Sequence, residues 1–547
     1  MGQSLVRSNE VDAIVVGAGF SGLYMLYRLR ALGFTTRMFE AADGVGGTWF
    51  WNRYPGARCD SESHYYCYSF SDEVRKEWKW SCRYPAQPEI LDYLNFVADR
   101  LDLKKDIDFG TRVTAGNFDE DTQTWLVDTD RGETVRARFL ITAVGNTSAP
   151  SKPALPGLET FAGKVYYTAN WPHEKVDFTG QRVGLIGTGS SGIQITPHLA
   201  AEATHLTVFQ RTANYSVPAR NHVLTDEMRR EQEQNFEELR RLTLASPIGM
   251  PFDLPQASAL EVSAEERKRR YDELWAVGGF RFMFTSFNDL TVDMKANDTV
   301  ADYIRAKIRD AVRDPATADV LCEFNHPAGT KRPPIDTDYY ETFNRDNASV
   351  VSIRKNPIRE VTADGLVLEN GDRHKLDTIV FATGFDAVTG SIIRMNLHGK
   401  GGEALKDKWE HGPRAYLGLS PAGFPNMFMV TGPGSPSILA NFPVCIEQHV
   451  DWIAECMVHM REKGINEIEA LSDAEADWAR MIAEEADKTL LPLADSWYMG
   501  ANIPGKPRVF LAYPNGVQTY TELCDDIAER GYEGFALRSR EMAVTAV

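Results

Sequence analysis

A chain of 547 residues is longer than one hydrophobic core usually serves, so two or three domains are expected. With 43% hydrophobic and 25% charged residues it has globular composition, and a formal charge of −18 argues against a nucleic-acid footprint. No window approaches the roughly 20 consecutive apolar residues that a membrane-spanning helix needs.

The N-terminal MGQSLVRSNEVDA lacks the apolar core of a signal peptide, and Val6 spoils a match to an acylation motif at Gly2. Ile14–Leu23 then reads IVVGAGFSGL, a strand ending in Gly17, Gly19 and Gly22 and opening a helix that begins near Phe20. Thr36–Phe39 is the following strand, closed by Glu40. The same grammar returns at Gly184–Ile193, GLIGTGSSGI, with Gly187, Gly189 and Gly192 and a following strand at His205–Phe209. Strand, glycine turn, helix and strand, twice over, predict two dinucleotide-binding folds in one α/β chain. In the first, Glu40 stands where a carboxylate binds ribose hydroxyls. In the second, Gln210 occupies that place and Arg211 and Thr212 follow. A carboxylate would repel a 2′-phosphate, whereas arginine meets it in a charge-assisted pair, so the second site suits NADPH.

Between residues 222 and 330 strand signals fade. Segments near 224–245, 258–276 and 298–321 are charged and helical in period, with a capping box at Ser263 and Glu266, and form a helical insertion. Ser472 and Glu475 open another helix in the same way. The apolar runs at 379–384 and 427–432 are strands. The seven cysteines (Cys59, Cys67, Cys82, Cys322, Cys445, Cys456, Cys524) include no CxxC pair, which disfavours zinc and dithiol redox chemistry and fits reduced thiols in the cytoplasm. The histidines form no ligand-like cluster, so no metal is expected.

Two nucleotide folds imply a flavin reduced by a pyridine nucleotide, which leaves reductases and monooxygenases open. Longer motifs narrow this. Phe161, Gly163, Tyr167, Trp171 and Pro172 fall in a stretch that resembles the Baeyer–Villiger monooxygenase signature FxGxxxHxxxW, with Tyr167 in place of the histidine. Trp171 stands where related nitrogen and sulfur oxygenases carry Tyr or Phe. Gly46–Gly47–Thr48–Trp49, the stretch from Trp51 to Asp60, Gly329–Arg332, Ala382–Asp386, Thr431–Ser437 and Ser496–Lys506 resemble further motifs of that family, in the family's order.

The resemblance implies an enzyme holding FAD and NADPH that inserts oxygen from O2 beside a ketone, through a C4a-peroxyflavin, to give an ester or lactone. It divides the chain into a FAD-binding domain (1–150 and 379–547), an NADP-binding domain (151–221 and 329–378) and the insertion (222–328). It assigns Gly17, Gly19, Phe20, Gly22, Glu40, Gly47, Thr48, Trp49, Asp60 and Tyr66 to the flavin nucleotide. Gly187, Thr188, Gly189, Ser190, Ser191, Gln194, Arg211, Thr212, Lys331 and Trp497 fall to NADPH. Arg332, oriented by Asp60, is the catalytic cation, and Ile438, Leu439 and Phe442 shape the ketone pocket. Phe161, Gly163, Tyr167 and Trp171 form a hinge between domains, where tyrosine can still hydrogen-bond. The competing readings are a heteroatom oxygenase and an NADPH oxidase uncoupled by Tyr167. The expected partners are small molecules only, without membrane or nucleic acid, for a monomer or weak oligomer.

Overall fold

The computed structural model describes residues 9–539; Val6 and the rest of residues 1–8, read above for targeting and acylation signals, lie outside the described residues. Two sheets organise the chain, each built round one glycine motif. In the first, Glu10–Val16 lies between Thr36–Phe39 and Thr134–Thr142, parallel to both. Ala13, Ile14 and Val15 are completely buried, as a strand covered on both faces requires. Val113–Asp119 and Thr124–Thr129 extend this sheet as an antiparallel meander beyond Thr134–Thr142. Met427–Met429, far along the chain, returns to pair in parallel with Leu140, Ile141 and Thr142.

The second sheet is wholly parallel. Arg182–Ile186 lies between His205–Gln210 and Thr378–Phe381, with Ala348–Ser352 and Lys164–Tyr167 at the edges. The fold is thus α/β, with two Rossmann-like units. Strand Thr378–Phe381 differs from the sequence reading, which gave residues from 379 onward to the first unit. All four of its residues are buried, and it pairs on both sides within the second sheet, so the chain crosses back only after Phe381.

The intervening segment is helical, including Asp226–Gln234, Phe236–Ala245, Ala264–Val277, Met294–Ala311 and Pro315–Leu321. Ser263 caps its helix by accepting the Glu266 N–H at 3.1 Å, but the Glu266 carboxylate pairs with Arg269 rather than closing the box. The box expected at Ser472 and Glu475 does not form either. Ser472 is the first helical residue, and Glu475 turns inward to accept the Ala422 N–H at 2.8 Å and pair with Lys408 at 3.0 Å. Buried tertiary partners outweigh the local capping contact here.

The longest helix, Phe442–Lys463, packs on Phe20–Ala31, the helix of the first glycine motif. Asp451 ties them by accepting from Tyr24 Oη at 2.8 Å and pairing with Arg28 at 2.8 Å. This seats the residues just before Phe442 beside the first nucleotide fold. Among the described residues no helix is long and apolar enough to cross a membrane, and no group of His, Cys, Asp or Glu could hold a metal ion.

Candidate active site

The two glycine turns are built alike. Gly17 has φ +105° and Gly187 φ +115°; a Cβ there would meet a backbone carbonyl at 2.7 Å (Ala143) or 2.4 Å (Ala382). The third glycines let the helix close on the turn: a Cβ on Gly22 or Gly192 would lie 1.8 or 2.1 Å from the carbonyl oxygen of Gly17 or Gly187. Gly19 and Gly189 begin the helices without a side-chain cap, so first-turn N–H groups remain for an anion. A Cβ on Gly189 would touch nothing within 4 Å, so this turn faces open space. Both turns therefore fit a dinucleotide pyrophosphate.

Around the first turn, the Gly46 N–H bonds the Ala18 carbonyl at 2.9 Å and brings Gly47 against Gly19. Thr48 Oγ1 lies 3.1 Å from Thr147 Oγ1, and Trp49 Nε1 donates to Tyr66 Oη at 3.1 Å. Phe20 packs edge-on to Tyr66, ring centroids 5.2 Å apart. The Glu40 carboxylate is buried and accepts the Ala18 and Ala42 N–H groups, each at 2.7 Å. Burial raises its pKa, and these N–H groups oppose the rise.

At the second turn, Thr188 Oγ1 donates to the Thr212 carbonyl at 2.6 Å, which fixes the chain leaving Arg211. Gln210 is buried and donates to the Val320 carbonyl at 2.6 Å, so it points into the insertion. Ser190 and Ser191 sit on the first helical turn. Gln194 bridges instead to the first unit: its Oε1 accepts from Tyr54 Oη at 2.8 Å and its Nε2 donates to the Arg58 carbonyl at 3.0 Å. Both ends of its amide are thus engaged by protein.

Arg332 is the centre of the arrangement. Its Nε and Nη2 donate to the two Asp60 oxygens at 2.5 and 2.9 Å. Its guanidinium also lies 4.7 Å from the centroid of Phe280. Arg58 and Arg53, which lie close to Asp60 in sequence, bond the Tyr84 and Phe50 carbonyls instead. Burial alone would lower the Arg332 pKa, but Asp60 outweighs it and holds the guanidinium charged. Lys331, next in the chain, behaves oppositely. Burial, and then the charge of Arg211, lower its pKa to about 8. No ion pair holds Lys331 or Arg211 among the described residues, and the charge of Arg211 reaches Lys331, an arrangement that suits a phosphate.

Ile438 belongs to an apolar cluster with Ala387, Val388, Tyr498, Leu511 and Ala512, against which Leu439, Phe442 and Trp497 pack. The segment bearing Trp497 docks on residues 385–387 through Lys506 to Asp386 at 2.7 Å and Asn502 Nδ2 to the Phe385 carbonyl at 2.7 Å. Tyr498 feels the charge of Arg332, which joins this cluster to the ion pair. Phe280 and Tyr498 escaped the sequence reading. Phe280 lies in FRFMF, which looks like ordinary helix packing, and only the neighbour of Tyr498 carried a motif.

The signature residues lie elsewhere, along Lys164–Tyr167 at the edge of the second sheet. A Cβ on Gly163 would sit 2.3 Å from the Asp377 carbonyl oxygen, and Phe161 packs in the same apolar cluster as Tyr167. Trp171 is buried against Tyr166, and its N–H reaches the Trp51 carbonyl at 3.4 Å, across to the first unit. Tyr167 does not make the expected hydrogen bond with any described residue. Its ring stacks on Phe381 at 5.1 Å, and Lys152 lies 5.4 Å from its centroid. Phe381, the register partner of Tyr167 on the neighbouring strand, offers a flat apolar face to stack on.

Residues 14–245 match the family described as pyridine nucleotide-disulphide oxidoreductase. The matched stretch includes both glycine turns. The chain is 43% identical to a Baeyer–Villiger monooxygenase of Pseudooceanicola batsensis, over 96% of this chain and 95% of the relative. It is 44% identical to a phenazine N-monooxygenase of Lysobacter antibioticus, over 98% of each. Among solved structures it resembles an oxidized steroid monooxygenase bound to NADP, with a TM-score of 0.92 and 50% identity, covering 97% of this chain and 100% of the other.

Proposed function

The chain belongs to the Baeyer–Villiger monooxygenase family of FAD-containing, NADPH-using oxidoreductases, and from that premise we propose that it inserts one atom of O2 beside the carbonyl of a ketone, giving an ester or lactone. The observation that carries this reading is the bidentate Arg332–Asp60 pair, set between the paired cations Lys331 and Arg211 and an apolar cluster.

When bound, FAD and NADPH supply the electrons that activate O2. The rest falls to the protein's own residues. Gly17, Gly19 and Gly22 bring the first helix N-terminus to the FAD pyrophosphate, Glu40 takes its ribose, and Gly47, Thr48, Trp49 and Tyr66 wall it. Gly187, Gly189 and Ser190 do the same for NADPH, while Arg211 and Lys331 take its 2′-phosphate. Arg332 holds a fixed positive charge where negative charge develops on the attacked carbonyl oxygen, and Asp60 aims it. A guanidinium does not give up its proton at working pH, so it stabilises charge without acting as an acid. Ile438, Leu439, Phe442 and Trp497 exclude water from the ketone's side of the site. Domain limits at 150, 221 and 328 belong to the same reading, with the return to the FAD-binding unit after Phe381.

A second reading is oxygenation of a nitrogen or sulfur atom, and the phenazine N-monooxygenase likeness favours it. Product analysis with a cyclic ketone, an aryl thioether and a phenazine tests both. Lactone as the main product supports the ketone reading; N-oxide or sulfoxide with no lactone overturns it. Hydrogen peroxide as the sole product would instead indicate an uncoupled oxidase. A cytoplasmic monomer or weak oligomer is part of the proposal; the scattered cysteines, without a CxxC pair, motivate the compartment, and sedimentation checks the oligomeric state.

A further inference from the structure

A cavity of about 680 Å³ lies between the Tyr65–Trp80 segment and the start of the helical insertion, and neither Arg332, Asp60, Ile438, Leu439 nor Phe442 lines it. Its volume falls within the range of small-molecule sites. The inner wall is aromatic and aliphatic. Trp78 and Trp80 meet edge-on at 5.6 Å, Trp80 lies 4.9 Å from Tyr93, and Leu224 and Leu239 continue the surface.

The charges round it are unbalanced. Three acidic residues line the cavity, and each already has an arginine: Asp226 with Arg229 at 2.7 Å, Glu447 with Arg240 at 3.4 Å, and Glu233 with Arg75. Lys79 and Arg230 also line it, both exposed, and neither has an ion-pair partner among the described residues. Both lie near enough to Asp226 to lower its pKa, after Arg229 does. Trp78 Nε1, Arg75 Nε and Arg229 Nε, on residues of the wall, are buried without an acceptor. In a chain with a formal charge of −18, two exposed cations that no ion pair holds among the described residues thus stand beside an apolar recess.

The geometry points to a second ligand site here, for an amphiphile with a carboxylate head and a hydrocarbon body. The head sits between Lys79 and Arg230, and the body lies along Trp78, Trp80, Leu224 and Leu239. Burying the chain supplies the affinity and the two cations select the head. The site stands apart from the ketone pocket, although Val444 and Glu447 on its floor belong to the helix that begins with Phe442.

The test is titration of FAD-loaded full-length protein with dodecanoate, read by tryptophan fluorescence and by equilibrium dialysis, with dodecan-1-ol as the neutral control. Saturable binding of one equivalent is expected, weaker at high salt. Reversal of both charges, Lys79→Glu with Arg230→Glu, should weaken it by at least about tenfold. Leu239→Trp should block it by filling the recess, with oxidation of a ketone substrate unchanged. Absence of saturation, equal binding of the alcohol, indifference to the charge reversals, or displacement of dodecanoate by the ketone would each overturn the proposal. The readout is binding alone, so its failure is separable from failure of the ketone reading.

Discussion

Arg332 grips Asp60 through two parallel hydrogen bonds although 272 residues separate them in sequence. One comes from the insertion's exit into the second unit, the other from the loop that follows the short helix Thr48–Trp51 of the first unit. The pair therefore exists only when the two units are docked, and it fixes the plane of the guanidinium.

Replacing Arg332 tests the centre of the proposed mechanism. Arg332→Ala should lower ester formation by about 10²–10³-fold, the usual cost of losing a preorganised charge contact in a dry site. FAD should stay bound, since the first glycine turn is untouched. Arg332→Lys keeps charge but not the planar fork and should recover only part of the rate. Asp60→Ala should be milder, because it frees the guanidinium without removing it. The measurement is product per NADPH with FAD fully loaded; near-wild-type yield from Arg332→Ala removes that residue from the chemistry.

Lys331 and Arg211 should set nucleotide choice. NADPH should be strongly preferred to NADH, and Arg211→Ala or Lys331→Met should erode the preference, mainly through KM, by roughly ten- to a hundredfold. Burial and Arg211 hold the Lys331 pKa at about 8 in the free protein. Below that pH the ammonium is charged and would meet the 2′-phosphate; above it the charge is lost. The kcat/KM for NADPH should therefore fall as pH rises through about 8, that for NADH should not, and Lys331→Met should flatten the difference. Equal efficiency of wild type with both nucleotides contradicts the assignment.

The second glycine turn separates a folding requirement from a binding one. Gly187→Ala forces a Cβ to 2.4 Å from a backbone oxygen at φ +115°, so it should lower Tm by several degrees. Gly189→Ala faces open space and should leave Tm within about a degree while weakening NADP+ binding. Thermal melts with and without NADP+ distinguish the two; unchanged NADP+ affinity in Gly189→Ala would mean the pyrophosphate does not approach this turn.

Tyr167 should influence coupling rather than chemistry. Its ring stacks on Phe381 beside the point where the chain leaves the second sheet. Tyr167→His keeps a flat ring and adds hydrogen-bonding nitrogens, so FAD content should not change. Hydrogen peroxide released per NADPH should change at least about twofold, the scale of a few tenths of a kcal/mol. A variant identical in rate, leakage and NADPH affinity shows that the position has no role in domain communication.

Both nucleotide folds were legible in the sequence because their signals are local. Gly17 and Gly187 must be glycine where φ is positive, and the buried strands before them are continuous apolar runs, whatever the rest of the chain does. The helical insertion showed itself through its period and its Ser263 cap for the same reason. Tertiary structure decided what depends on partners distant in sequence. Thr378–Phe381 reads as a strand in either unit, and only two-sided pairing places it in the second sheet. Glu475 has the spacing of a capping residue, but a buried N–H and Lys408 claim its carboxylate. Phe280 becomes the platform under Arg332, and Tyr167 stacks instead of hydrogen-bonding, because folding brings a ring or a guanidinium to each. Local sequence fixes backbone conformation through sterics and burial; which side chains meet is settled by long-range packing, to which no single stretch of sequence is sensitive.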